Sequence, residues 1–380
     1  MSSRILRKVS KKFFITVNIV TAVLFLLACC SSFLDPGRYW FIAILGVGFP
    51  FIILLLLLFI FFWWFFKSRW LFLPLGLLLL GWFQVNVVFA FHPFTSFEEK
   101  KPAHALRVMQ WNVARLGQMN KKKSADYSRS EIFSFIQQID PDVLCMEEFL
   151  ESNKPKEMEE NIPYISKTLN YPYYFFARDH KRRDKLYEHG VIIFSRYPIL
   201  DTLRIRYENP GMQVQGESLI HVDIDVDGQR IRVFATHLQS LKFEGEDYFV
   251  LEKIARVEDS AVSRSKGVLK KFRIAYGLRK SQADLVRKEM DNSPYPPIIC
   301  GDFNDIPNSY TYFKIKGGRN DAFLKKGFGI GRTFTSLSPT LRIDYILADK
   351  RMETLQCKKW RVFYSDHFPL VADFKLPGKD

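Results

Sequence analysis

Three long apolar runs, Phe13 to Cys30, Trp40 to Phe66 and Trp70 to Phe91, fill the first quarter of the chain without one internal charge. Each is near or above the roughly 20 residues a helix needs to cross a bilayer, and none offers water a polar face. Three transmembrane helices are therefore expected. Arg4, Arg7, Lys8, Lys11 and Lys12 precede the first run, and Lys67 and Arg69 separate the second from the third. Basic flanks stay cytoplasmic, so the chain after Phe91 is expected on the extracytoplasmic side, as for a multi-pass protein of a bacterial inner membrane. A rival reading treats the basic start and Leu26-Leu27-Ala28-Cys29 as a signal peptide ending at a lipidation site.

Beyond Phe91 the pattern changes to short runs bounded by polar turns. Residues 92–105, with Pro93 and Pro102, read as a linker between a membrane region, 1–91, and a domain spanning 106–380. Strands are expected at Leu106 to Asn112, Val143 to Met146, Val191 to Phe194, Leu219 to Val226, Ile231 to Thr236, Ile298 to Cys300 and Ile343 to Leu347. Helical spacing appears in Ser130 to Ile139 and Lys280 to Met290. Alternating elements of both kinds imply a layered α/β architecture. Asp227-Gly228 between two such runs predicts a hairpin turn, because both residues tolerate positive φ. The charged stretch Lys242 to Arg279 carries no pattern that names a function.

Charge and cysteine content narrow the chemistry. Of 55 Lys and Arg and 40 Asp and Glu, only 8 and 3 precede residue 100, so the remainder is net positive. That surplus suits anionic partners such as nucleic acid, acidic headgroups or phosphate esters. The five cysteines form no disulfide framework and no zinc-like Cys/His spacing; Cys145 and Cys300 read as small buried hydrophobes.

Residues able to ligate metal or move protons recur at strand ends, where loops gather side chains into a cleft. Asn112, Glu148, His237, Asp302, Asn304, Asp344, Asp366 and His367 all stand in such places. Each alone has a dull explanation, as a turn residue, a core histidine or a helix cap. Together they offer hard oxygen donors and two imidazoles without a thiolate, a set suited to Mg2+ or Mn2+ and to phosphoester hydrolysis.

The segments Trp111-Asn112, Met146-Glu147-Glu148, Thr236-His237-Leu238, Gly301-Asp302-Phe303-Asn304, Arg342-Ile343-Asp344-Tyr345 and Ser365-Asp366-His367 resemble the successive motifs of the endonuclease/exonuclease/phosphatase superfamily. Gly190 to Pro198 is similar to its Gly-x-x-x-x-Ser-Arg-x-Pro segment. The resemblance implies a four-layered α-β-β-α sandwich of the deoxyribonuclease I type. It also implies that Glu148, with Asn112 and Asp366, binds the metal, and that Asp302 orients or deprotonates the attacking water. Asn304 would hold that water and the phosphate. His367, its tautomer fixed by Asp344, would contact the phosphoryl oxygens, and His237 would bind phosphate or protonate the leaving group. Two departures stand out: Ala114 replaces an acid found in apurinic endonucleases, and Glu147 stands where Gln is usual. The tyrosine some members carry before the glycine segment has no match, since Glu188 and His189 occupy the expected spacing.

The expected function is thus metal-dependent phosphodiester hydrolysis on a phospholipid or other surface substrate, with the bilayer as partner. An extracytoplasmic nuclease acting on DNA or RNA is the alternative, and a non-catalytic binding or sensor protein on the same fold is a third.

Overall fold

The computed structural model describes residues 3–119, 125–182, 184–208, 217–241 and 261–378. The charged stretch from 242 to 260 lies outside them. The described residues divide into two compact units. One takes those up to Phe89 with 261–280 and Ile306–Phe313; the other takes Ala90–Leu241, Ser281–Asp305 and the residues from Lys314 onward.

The first unit is helical. Helix α1, Ser3–Cys30, is continuous, and its Leu6–Cys30 portion of 25 residues is long and apolar enough to cross a membrane. The second apolar run is not one straight helix. It breaks into α2 (Trp40–Val47) and α3 (Phe49–Phe65), bent by 60° at Gly48, where Pro50 enters the first turn of α3. The third run gives only the short helices α4 (Phe72–Leu80) and α5 (Trp82–Asn86), separated by Gly81, and its last residues, Ala90–Phe91, form strand β1. Among the described residues, the expectation of three spans is therefore corrected to one clear candidate and one bent pair. At Gly81 a β-carbon would lie 2.6 Å from the Phe25 ring, so α1 packs closely against the break and any larger residue would have to displace that ring.

Phe25 and Ala28 of α1 pack with Phe49, Leu56 and Leu77. The end of α1 is further bonded to the segment Ile306–Phe313. Asn308 Nδ2 donates to the Ala28 carbonyl at 2.9 Å, and Ser31 Oγ donates to the Asn308 carbonyl at 2.6 Å.

The second unit holds two six-stranded sheets. In chain order after β1 the strands are β2 (Ala105–Asn112), β3 (Val143–Ser152), β4 (Tyr173–Lys181), β5 (Tyr187–Ser195), β6 (Ile199–Arg206), β7 (Ser218–Val226), β8 (Gln229–His237), β9 (Pro297–Asp302), β10 (Asn320–Asp321), β11 (Phe328–Gly329), β12 (Asp344–Ala348), β13 (Glu353–Lys359) and β14 (Leu370–Lys375). One sheet runs β13-β14-β2-β3-β5-β4 and the other β10-β12-β9-β8-β7-β6. Residues of both sheets, including Val108, Cys145, Ile193, Val222, Val233 and Cys300, share one buried core. Outside the first sheet, α6 (Ala125–Ile139) and α7 (Ile162–Thr168) bury Ile132, Phe135, Ile136 and Ile165 against Trp111 and Met146. The predicted stripe of α6 is therefore its packed face. The predicted helix at Lys280 to Met290 is the last third of α8, Ala261–Asp291. After it come α9 (Tyr310–Lys316) and α10 (Ala322–Lys326).

The expected hairpin is present. Val226 pairs with Gln229 across Asp227 and Gly228, both at positive φ. Residues 92–105 are bonded into the second unit more closely than a linker requires: His92 N donates to the Gly327 carbonyl, and Arg107 Nη1 to that of Glu99.

Gly190 has a packing reason for lacking a side chain. A β-carbon there would sit 2.0 Å from the Ala177 carbonyl oxygen of the paired strand, and backbone cannot yield. Gly190→Ala is expected to destabilise the protein by at least about 2 kcal/mol. Thermal melting of the purified full chain reads this, with Gly76→Ala, where a β-carbon meets nothing within 4 Å, as the control. Equal melting of the two variants would contradict the clash.

Candidate active site

Two parallel pairings bring chemistry-bearing residues together. β2 lies parallel to β3 with Asn112 beside Glu147, and β8 parallel to β9 with His237 beside Asp302. Antiparallel β12 then sets Asp344 next to Asp302. Hydrogen bonds between the sheets close the cluster: Asn112 Nδ2 donates to Asp302 Oδ2 at 3.1 Å, and Gln110 Nε2 to Asp344 Oδ1 at 3.0 Å.

Backbone strain concentrates here. Ala114, Arg115, Leu116, Glu148 and Asn304 all have φ between 43° and 58°, a region non-glycine residues rarely adopt. At Glu148 the strain accompanies a bulge between Met146 and Phe149. Glu147 is fully buried while Glu148 keeps 29% of its side chain exposed, 3.5 Å from Arg115 Nε. At Asn304 the turn brings its N–H back to Asp302 Oδ1 at 2.9 Å and its Nδ2 to the Leu238 carbonyl at 3.0 Å.

Two imidazoles flank Asp302. His367 Nδ1 is bonded to Asp344 Oδ2 at 2.9 Å, and its Nε2 lies 3.8 Å from Asp302 Oδ2. His237 Nδ1 lies 2.5 Å from Glu217 Oε2, off the line of a good hydrogen bond and so an ion pair, while its Nε2 is 3.5 Å from the same Asp302 oxygen. Burial opposes charge on both rings, but the carboxylates prevail. Asp344 and Asp302 raise His367 to about 10, and Glu217, then Asp302, hold His237 well above its ordinary value. Burial, followed by the Asp344 charge, pushes Asp302 up to about 6. The shifts thus favour the protonated form of both imidazoles beside Asp302.

Glu147 differs from these. Burial and then the Asp344 charge push its carboxyl well upward, and it accepts a hydrogen bond from Gln110 Nε2 at 2.8 Å. Both causes disfavour its ionised form, and its shape is that of the glutamine usual at that position.

Of the eight expected residues, Asn112, His237, Asp302, Asp344 and His367 form one connected buried group, with Asn304 bonded at its edge. Asp366 is exposed. Its carbonyl accepts from Thr335 N–H at 2.9 Å, and it neighbours Ser365, whose Oγ donates to the Asn112 carbonyl at 2.7 Å and approaches Asp366 Oδ1 at 3.3 Å. Asp302, Asp344 and His367 each offer a ligand atom within 4.8 Å of the others, a grouping that differs from the expected metal set. Sequence reading missed Glu217, Gln110 and Arg115, as well as the contact of His180 with His189, whose rings lie 4.7 Å apart and tilted by 31°. Burial, and then Arg115, lower His189 to about 4, so that ring is neutral.

Residues 109–367 match the model of the Endonuclease/Exonuclease/phosphatase family, and residues 11–88 match that of a domain of unknown function. Protein angel homolog 1 from Rattus norvegicus is 23% identical over 197 residues, 51% of this chain and 26% of its own length. The chain thus spans about a quarter of the length of that relative. An endonuclease/exonuclease/phosphatase structure from Beutenbergia cavernae DSM 12333 is 21% identical with a TM-score of 0.52, covering 72% of each chain. The human nocturnin catalytic domain is 18% identical with a TM-score of 0.50, covering 72% of this chain and 95% of that one. Those two structures support the fold, while the family match extends over well more than half of the sequence and includes every segment of the site just described. The chain belongs to the endonuclease/exonuclease/phosphatase family of metal-dependent phosphoester hydrolases.

Proposed function

We propose that this chain hydrolyses the phosphodiester of a phospholipid, or of another molecule held at a membrane surface, with Mg2+ or Mn2+. The observation carrying the hydrolytic reading is the pair of carboxylate-backed imidazoles whose Nε2 atoms flank buried Asp302 at 3.5 and 3.8 Å.

Glu148, with Asn112 and Asp366, would hold the cation. The donors are all oxygens, and Glu148, unlike buried Glu147, keeps part of its carboxylate side chain open to solvent, so the set fits a hard ion. Bound there, the ion neutralises phosphate charge and acts as a Lewis acid. Asp302 takes the proton of the attacking water, and the Asn304 amide holds that water and the phosphate. His367, oriented by Asp344, donates to the phosphoryl oxygens. His237 enters as an imidazolium and gives its Nε2 proton to the leaving oxygen.

Glu217 acts through His237. Glu217→Gln is expected to lower turnover about tenfold and to move the alkaline limb of the pH profile downward. The sign follows from charge: without the carboxylate, His237 loses its proton at lower pH and ceases to be an acid earlier. An unchanged alkaline limb would remove Glu217 from the reaction.

Three observations support a surface substrate. Helices α3 and α4 turn large apolar side chains outward, among them Leu58, Phe61, Trp64 and Leu80, the last 72% exposed, as lipid-facing helices do. Ala114 leaves out the acid of apurinic endonucleases. The basic residues at the start of α1 favour a cytoplasmic N-terminus, and with α1 as the single full span and the bent pair α2–α3 re-entrant, an extracytoplasmic catalytic unit. A periplasm-active phosphatase reporter fused after Lys101 is expected to be active; a reporter active only in the cytoplasm would reverse the orientation. The surplus positive charge favours a nuclease as the second reading. One assay separates them: full-length protein on mixed phospholipid vesicles, abasic duplex DNA and undamaged DNA under one metal and salt condition. Turnover of phospholipid is expected, and cleavage of DNA alone would overturn the surface reading.

A further inference from the structure

Helix α8 holds a charge pattern the hydrolytic site does not use. From 261 to 283 it carries seven basic residues and no acidic one, and Asp284 is the first acid. A solvated helix usually mixes signs, since Glu and Lys four apart support it. Gly267 and Gly277 weaken it further. The described part of α8 is two-faced. Val268, Ala275, Tyr276 and Arg279 are buried, whereas Lys266, Leu269, Lys270, Arg273 and Ile274 form an exposed stripe at helical spacing. Leu269 and Ile274 are about as exposed as each other, at 39% and 40%, with cations on either side. Among the described residues, no ion pair is formed by Lys266, Lys270 or Arg273.

The position of α8 within the helical unit adds a second observation. A β-carbon on Gly37 would lie 3.2 Å from Gly277 Cα, so α8 crosses the loop that follows the Cys30 end of α1. The Leu6–Cys30 span of α1 extends about 37 Å, enough to cross the hydrocarbon, so that loop emerges at the bilayer surface opposite the N-terminus. Arg38, Tyr39 and Trp40, in or just after the loop, are residue types found at such surfaces, and the Arg38 guanidinium lies 5.4 Å from the Tyr39 ring centroid.

We propose that Lys266, Lys270 and Arg273, with Leu269 and Ile274 between them, form an interfacial face of α8 that seats on anionic phospholipid headgroups of the leaflet at the Cys30 end of α1. The proposal rests on the membrane reading of α1. Aliphatic side chains interleaved with cations enter the headgroup boundary while the charges meet phosphate, and each basic residue favours an anionic over a neutral surface by roughly fivefold. This face would make catalysis at the membrane sensitive to the charge of the surrounding lipid.

The test uses the full-length chain in bilayer nanodiscs with a nitroxide at Leu269→Cys in a Cys29→Ser, Cys30→Ser background; the other cysteines are buried. Leu203→Cys on β6 serves as an exposed control. Collision with headgroup-chelated nickel is expected at position 269 in bilayers containing about a third phosphatidylglycerol. It is expected to fall at least about fivefold in pure phosphatidylcholine, in about 0.5 M salt, or in K266E/K270E/R273E. Equal collision in both lipids, with the chain still resistant to alkaline carbonate extraction, would overturn the proposal and leave the membrane reading standing. Extraction by carbonate would instead overturn the membrane reading. Protection of the label by single-stranded polynucleotide but not by anionic lipid would assign the face to nucleic acid, and the lipid proposal would fall.

Discussion

Replacing Asp302 by Asn in the full-length protein is expected to lower turnover by at least about a hundredfold, the loss typical of a group that takes a proton or stabilises charge in the transition state. The argument starts from burial. Asp302 is 1% exposed, and each of its oxygens already serves a neighbour: Oδ1 accepts from the Asn304 N–H and Oδ2 from Asn112 Nδ2. Asparagine keeps the shape but turns one acceptor into a donor. It then faces either the Asn304 N–H or the Asn112 amide with the wrong polarity, and Asn112 cannot simply flip, because its Oδ1 accepts from the Ala114 N–H at 3.1 Å. The lost charge matters more. His237 and His367 share Asp302 as a counter-ion, so both rings lose part of what keeps them protonated. The proposed base, acid and phosphate contact would therefore all be weakened by one substitution. A mispaired hydrogen bond of this kind costs about 1–3 kcal/mol of stability, so melting is measured alongside turnover. His367→Ala is expected to fall as far. Near-normal turnover by folded Asp302→Asn protein would defeat the assignment.

Much of this arrangement was legible in the sequence, for physical reasons that also explain the omissions. The strands foreseen, such as β2, β7 and β9, lie inside the sheets and are buried along nearly their whole length, so their apolar runs are continuous. The strands not foreseen include β4, β6 and β13, which are sheet edges where one flank is wet and the apolar signal fades. Glu217 was overlooked because its partner is distant in sequence, yet the turn contained the answer. Counting outward from the Val226–Gln229 pair across Asp227-Gly228 places Ser218 opposite His237 and Glu217 one step beyond. Run length alone misread the membrane segments. Gly48, Pro50 and Gly81 carry no charge, so they leave hydropathy untouched while breaking the helices. Glu147 was noticed as a departure, but only its complete burial beside Gln110 and Asp344 shows why a glutamate is tolerated there.

Metal removal should abolish turnover without unfolding the chain, and Mg2+ or Mn2+ should restore it. The charges of the site show where the requirement comes from. Asp344 is answered by His367 and Gln110, Asp302 by two imidazoles, and burial disfavours charge on Glu147. Glu148 is different, partly exposed on a strained bulge with Arg115 Nε at 3.5 Å, and it can exchange that loose pairing for a cation at small cost. Glu148→Gln is therefore expected to raise the metal concentration needed for half-maximal activity at least tenfold, and to cut turnover by about a hundredfold even when metal is saturating. The grouping of Asp302, Asp344 and His367 makes a competing claim on the ion, and the two claims separate in a binding experiment. Manganese titrated into full-length protein and followed by electron paramagnetic resonance reports affinity without catalysis. If Glu148 holds the ion, His367→Ala leaves manganese affinity nearly unchanged, or strengthens it by removing a nearby positive charge, while Glu148→Gln weakens it. If affinity collapses in His367→Ala and survives in Glu148→Gln, the ion belongs between Asp302 and Asp344, and full activity in excess chelator would remove the metal from the reaction altogether.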